Sequence, residues 1–219
     1  GARVEIDESK KDSLDFALWK KTNGALIEFE SPWGRGRPGW HIECSAIAEK
    51  YAKRTMDIHG GARDLIFPHH ENEIAQSEAA LGRKFSNFFL HTGFLTVEGE
   101  KMSKSLGNFI TIKNSLSKIT PGALRLFFIQ THYRSPIDYD EERLNVSSET
   151  LERIFNSVGL IRETIHSFHH KNKKENQEQN LFREKTDELI HKIYLNLAND
   201  LNTPEAFAAF FELLRMCNA

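Results

Sequence analysis

The period of apolar and polar positions changes along the chain. Ile42, Ala46, Ile47 and Tyr51 recur at the spacing of one helix face. Met56-Asp57-Ile58-His59-Gly60-Gly61 reads as a strand ending in a glycine turn, and Asp64-Leu65-Ile66-Phe67 as a second short apolar run. Pro68 suits the first position of a helix, where its missing N–H costs nothing. That helix runs through Gln76 to Leu81 and stops at Gly82. Alternating strand-like and helix-like segments predict an α/β fold with a parallel sheet.

Farther along, the pattern is helical. Thr120 caps and Pro121 opens a segment with Ala123, Leu124, Phe127 and Phe128 inward. Leu151, Ile154, Phe155, Val158, Ile161, Ile165 and Phe168 keep a spacing of three and four, which predicts an amphipathic helix. His169 to Gln177 has almost nothing to bury and reads as a mobile connection. A further helix places Leu189, Ile190, Ile193 and Leu197 inward. The next begins at Thr203-Pro204-Glu205 and buries Ala206, Phe207, Phe210, Phe211 and Leu214. Such helices need partners, so the chain is read as ending inside a helical bundle. Ahead of all this, Leu14 to Trp19 suggests a short buried element, and Ser31 to Trp40 has too many turn formers to be regular structure.

Composition narrows the class. The 219 residues suffice for one large or two modest domains. No apolar run approaches the ~20 residues that cross a bilayer, so no membrane role is expected. Cys44 and Cys217 exclude a disulfide scaffold and point to a reducing cytoplasm. The chain opens Gly1-Ala2-Arg3 without an initiator Met, which reads as a cut end. The net charge of −2 hides an uneven distribution: Lys101, Lys104, Lys113, Lys118, Arg125 and Arg134 fall in a stretch without Asp or Glu. Such a stretch suits polyphosphate or an RNA backbone, or else a solvated basic face balanced by acids elsewhere.

His69 and Glu73 are four apart on the predicted helix, so both project from one face. Cys44, from a separate element, could add a thiolate, giving a set of S, N and O donors that zinc accepts. His59, His41 and His70 serve as ligands equally well on spacing alone, and without a metal the same residues read as ordinary packing and surface positions. His70-Glu71-Asn72-Glu73-Ile74 has Ile74 where HExxH needs its second His, which argues against a zinc protease. His59, beside two glycines, is also placed to contact a substrate. Trp40, four residues before Cys44, is placed to stack over the open metal position or to pack within the loop.

Lys101-Met102-Ser103-Lys104-Ser105 matches the KMSKS loop of class I aminoacyl-tRNA synthetases. Together with Gly36 to Ser45 (GRPGWHIECS), Phe67 to Glu78 (FPHHENEIAQSE), His132 to Pro136 and Asp200 to Pro204, it makes the chain closely resemble the cysteinyl-tRNA synthetase family over nearly its whole length. The resemblance implies the later half of a Rossmann-type catalytic domain with a zinc site (residues 1–100), a KMSKS loop and stem-contact region (101–145), and the start of a helical, tRNA-binding bundle (146–219).

It also implies zinc on Cys44, His69 and Glu73, with Trp40 and His59 shaping the substrate pocket. ATP would be held at Lys101, Met102, Ser103, Lys104 and Ser105, with Lys104 and Lys101 stabilising charge on the phosphates and Mg²⁺ accompanying the nucleotide. Gly107 and Gly99 would let that loop move, and Arg134 would face the tRNA acceptor end. The implied reaction is ATP-dependent activation of L-cysteine and its transfer to tRNA(Cys), by a cytoplasmic monomer. The family's fourth zinc ligand, a further Cys, and its HIGH motif are missing, so this piece is expected to be inactive alone. One departure is Gly60-Gly61-Ala62, where the family commonly has a third glycine. Two other outcomes are a related ligase joining cysteine to an amino sugar and a non-catalytic tRNA-binding module.

Overall fold

A computed structural model of the chain describes residues 10–103, 106–167 and 176–218. The chain forms two compact units, Gly1–Thr92 and Gly93–Ala219. The first opens with a small antiparallel ladder of β1 (Trp19–Lys21) and β2 (Gly36–Pro38). The turn-rich segment from Ser31 to Trp40 therefore contains a short strand. Gly36 and Gly39 permit it: a Cβ on Gly36 would run into the Lys20 backbone, and one on Gly39 into the Ala17 carbonyl.

Helix α1 (Trp40–Ala52) follows, but its buried side is not the predicted one. Ser45 is buried, whereas Ile47 and Tyr51 are exposed. The burial is driven by polar contacts to α2 (Glu71–Leu81): Gln76 Nε2 donates to the Ser45 hydroxyl and the His41 carbonyl, each at 2.6 Å, and Ser77 Oγ donates to Ser45 Oγ at 2.7 Å.

Strand β3 (Met56–Ala62) pairs in parallel with β4 (Ser86–Thr92), joined through a short turn (Arg63–Leu65), a kinked helical turn (Ile66–His70) and α2. The glycine pair lies inside β3, opposite Leu90 and His91, instead of closing it. A Cβ on Gly61 would come within 2.9 Å of the His70 ring, so the glycine makes room for that imidazole. The predicted apolar run at Asp64–Phe67 is a pair of turns, with only Phe67 extended (φ −133°, ψ 134°). Gly82 ends α2 with a left-handed cap, as its position in the sequence indicates.

The second unit contains β5 (Leu95–Val97), flanked by antiparallel β6 (Glu100–Lys101) and parallel β7 (Ile137–Tyr139). Between them lie α3 (Ile112–Leu116) and α4 (Pro121–Ile129), the latter capped by Thr120 Oγ1 accepting from the Ala123 N–H. Leu124, Phe127, Tyr139 and Leu144 form its core, joined by Leu95, Val97 and Ile137. The long α5 (Glu141–Ser167) is followed by α6 (Gln177–Ala198) and α7 (Thr203–Cys217), which pack as a pair through Leu189, Ala206 and Ala209. Phe155 and Ile165, predicted inward, are exposed on α5, and Phe128 is partly exposed on α4. Phe168 and most of the connection predicted at 169–177 lie outside the described residues; α6 begins with a capping box of Asn176 and Gln179. Among the described residues, no helix is long and apolar enough to cross a membrane.

Candidate metal centre and nucleotide loop

In the first unit, one donor atom each from Cys44, His69 and Glu73 lies within 4.8 Å of the others. The fold assembles them simply: α1 supplies the thiol, the kinked turn the imidazole and the first turn of α2 the carboxylate. Glu73 is 0% exposed. Its Oε2 accepts from His59 Nε2 at 2.7 Å, while Oε1, 3.2 Å from His69 Nε2, has no hydrogen-bond partner. Burial pulls the Glu73 pKa upward, but the His59 hydrogen bond and the charges of His59, His69 and His70 outweigh it and hold the carboxylate below its ordinary range. Burial first, then the Glu73 carboxylate, pushes the Cys44 thiol pKa up.

These features are what a divalent cation relieves. A fully buried carboxylate oxygen without a hydrogen bond costs a desolvation penalty of about 1–3 kcal/mol, and a cation beside it would satisfy that oxygen while favouring the thiolate of Cys44. The three residues therefore fit zinc by donor chemistry. His59, His70 and Glu73 form a second close group. Glu73 is common to both groups: its Oε2 accepts from His59, and its Oε1 lies 3.2 Å from His69 Nε2.

Aromatic rings surround these three candidate donors. His41 Nδ1 and His69 Nδ1 are 2.8 Å apart, and Trp40 stacks on His69 with ring centres at 4.3 Å and planes at 18°. Burial, then His69 and Lys20, depress the His41 pKa against the opposing pull of Glu73. His70 Nδ1 lies 2.9 Å from His91 Nε2, and burial followed by the charge of His59 lowers its pKa to about 4, so this imidazole is neutral at physiological pH. His59, expected at the substrate, is thus seated against Glu73, whereas Trp40 is 54% exposed and stacks on His69. Nothing in the sequence marks His91, and Gln76 stands there only as a helix and motif position, because their contacts depend on the β3–β4 register and the α1–α2 contact. An open cleft of about 840 Å³, lined in part by Phe16, His41, Phe67 and Asn72, adjoins these rings.

The Lys101–Ser105 motif lies in the second unit; Lys104 and Ser105 are outside the described residues. Lys101 Nζ sits 4.4 Å from the centre of the Phe94 ring, a cation–π contact. Asn108 spans the base of the motif, accepting from the Ser103 N–H at 2.8 Å and donating to the Lys101 carbonyl at 3.3 Å. The Met102 N–H donates to the Leu95 carbonyl. Gly99 (φ 79°) and Glu98 (φ 54°) make the tight β5–β6 turn, which Asp138 secures by accepting from Thr96 Oγ1 at 2.6 Å and the Gly99 N–H at 3.0 Å. Gly99 thus serves the tight turn between β5 and β6. The basic stretch is partly neutralised: Lys118 pairs with Glu141, and Arg134 with Asp200 at 2.6 Å. Arg134 is thus held in an exposed pair by Asp200, whose carboxylate also accepts from the Tyr133 hydroxyl.

The fold is shared with class I synthetases. Two solved structures superpose on it: the LeuRS–tRNA–LeuAMS ternary complex of Agrobacterium radiobacter K84 (TM-score 0.69, 16% identity, 87% of this chain and 28% of that one) and methionyl-tRNA synthetase of Mycobacterium tuberculosis with methionyl-adenylate (TM-score 0.58, 18% identity, 74% and 33%). Residues 1–149 match the family described as tRNA synthetases class I (C) catalytic domain, and residues 192–219 match the DALR domain. The chain belongs to the class I (C) synthetase family. Relatives include the cysteine–tRNA ligases of Thermococcus onnurineus, 50% identical over 218 residues, and Carboxydothermus hydrogenoformans, 48% identical over the same length. Both alignments take in 100% of this chain but only 46% and 45% of the relatives, so the chain spans about half the length of the curated relatives it matches.

Proposed function

We propose that this chain supplies the cysteine-selecting site and the nucleotide loop of a cysteine–tRNA ligase, which activates L-cysteine with ATP and transfers it to tRNA(Cys). The observation that carries the reading is the grouping of Cys44, His69 and Glu73 around a fully buried carboxylate, one oxygen of which has no hydrogen bond, in a chain of this family. Those three residues would hold zinc. When bound, zinc supplies a Lewis acid that favours a substrate thiolate over a hydroxyl, a distinction a metal-free apolar pocket makes only weakly.

The chain's own residues do the rest. His59 fixes Glu73 by its 2.7 Å hydrogen bond, and His41 and Trp40 orient His69 from two sides. Exposed Trp40 also offers a wall against which a small amino acid can pack. Lys101 and Lys104 neutralise phosphate charge as the substrate carboxylate attacks ATP, which arrives with Mg²⁺, and Met102, Ser103 and Ser105 line the nucleotide. Asn108 sets the backbone from which Lys101 and Ser103 project. The helices of the second unit offer the tRNA-facing surface. Cys44 and Cys217, both unpaired, fit a reducing cytoplasm, and a monomer is the assembly proposed. On its own, the chain is proposed to lack turnover.

The test is cysteine-dependent exchange of pyrophosphate into ATP, measured with this sequence in a polypeptide of its relatives' length. Exchange with cysteine, little with serine, and loss on Glu73→Gln are expected. Equal exchange with cysteine and serine would contradict the reading.

A further inference from the structure

The β1–β2 ladder contains an arrangement that costs stability unless something offsets it. Its register places Lys20 directly opposite Arg37. Residues opposite one another share a face, with Cβ atoms about 4.5–5.5 Å apart, and like charges there repel. Both residues are exposed, and neither side chain has a hydrogen bond or ion pair among the described residues.

The neighbouring cation behaves differently. Arg35 donates to Glu28 at 3.0 Å and also pairs with Glu30, while Thr22 donates to the same Glu28. The ladder thus neutralises the arginine just outside β2 and leaves two facing cations bare. The close approach that forces them together is built in by Gly36 and Gly39, where any Cβ would strike β1 or the residues leading into it. Lys20 is also near enough to the metal-centre side of the unit for its charge to be felt at His41.

We propose that Lys20 and Arg37 form an oxyanion site that takes a phosphate group, from a nucleoside polyphosphate or from an RNA backbone. A guanidinium fork beside an ammonium supplies several charged donors to one tetrahedral anion, and the bound charge removes the cross-strand repulsion. The choice between the two phosphate sources rests on the synthetase reading. Phosphate binding itself does not.

The experiment titrates the chain with pyrophosphate and, separately, with a short single-stranded RNA labelled for fluorescence anisotropy, across a range of salt. Lys20→Glu and Arg37→Ala are each expected to weaken binding by about tenfold, the loss of one charge-assisted contact. With RNA, each should also reduce the magnitude of the salt slope by about 0.7. Lys20→Arg should restore binding. Arg54→Ala, which removes an exposed cation already paired with Asp57, should leave it unchanged.

Lys20→Glu separates binding from folding, because it places opposite charges across the ladder and should raise the melting temperature while weakening anion binding. A response of the pyrophosphate arm alone, the RNA arm alone or both supports the site and names its source. The proposal is overturned if both arms stay within about twofold of the parent in Lys20→Glu and Arg37→Ala, or if Arg54→Ala weakens them equally. Failure of cysteine-dependent exchange with anion binding intact would refute the synthetase reading and leave this site standing.

Discussion

The two compact units bury different kinds of side chain. Among the described residues of the first, the buried set is Ser45, His69, His70, Asn72, Glu73, Gln76, Ser77 and Ser86, with Phe85 as its apolar member. In the second, Leu124, Leu126, Phe127, Tyr139, Leu144 and Leu189 dominate. An apolar interior tolerates exchange among shapes of equal volume. A polar interior has to satisfy each donor and acceptor, so one misplaced group is costly. The first unit accordingly spends its interior on holding a carboxylate, a thiol and several imidazoles in fixed positions. The second spends its interior on stability. One unit is built as a site, the other as a platform.

Substitutions can break this contrast in order of expected effect. Glu73→Gln removes a charge at the centre of the polar interior and should lower zinc affinity by more than the ~10–100-fold that an outer partner costs, as read by competition with a chromophoric chelator. His59→Ala removes such an outer partner and should fall within that ~10–100-fold range. Affinity unchanged in His59→Ala would show that the hydrogen bond to Glu73 does not orient the ligand.

On the platform side, Gly93→Ala drives a methyl into the Ser135 carbonyl and should cost about 1–3 kcal/mol in chemical denaturation. Asn108→Ala removes two hydrogen bonds at the base of the loop and should cost about 1–2 kcal/mol locally, seen as faster hydrogen exchange at the Ser103 amide with little change in melting.

The smallest effect is a pH signature. The Arg134 and Tyr133 hydrogen bonds hold the Asp200 pKa at about 2, below its ordinary value of 3.8. A depressed carboxylate stabilises the fold above its unfolded pKa and loses that contribution as pH falls through the folded one. Asp200→Asn should therefore be less stable than the parent near neutrality, and the gap should close between about pH 4 and pH 2. A gap that persists at lower pH would remove the ion pair as its cause.

How much of this could be read from the sequence follows the same division. The loop is contiguous, so Lys101 to Ser105 announce it without any fold, and the helix caps at Thr120 and Gly82 are local signals that the structure bears out. The spacing of His69 and Glu73 pointed to one shared face, but it did not choose among His41, His59, His69 and His70; the set of Cys44, His69 and Glu73 came from the family resemblance, and these three do lie together. The burial of Ser45 in place of Ile47 and Tyr51 was not legible. It is set by Gln76 and Ser77 reaching across from α2, and no period in α1 records a partner's hydrogen bonds. Likewise Gly61 looked like a turn former, whereas its use is to admit the His70 ring from another element. The seat of His59 on Glu73 and the facing charges of Lys20 and Arg37 depend on strand register, which short strands do not disclose.

The central claim, that Cys44, His69 and Glu73 are zinc ligands, is tested most directly by metal analysis of the purified chain beside its Cys44→Ala and Cys217→Ala variants, with Co²⁺ substituted to reveal a thiolate charge-transfer band. The account predicts about one metal ion per chain in the parent and in Cys217→Ala, and loss of both metal and band in Cys44→Ala. Equal metal content and an undiminished band in Cys44→Ala would contradict it.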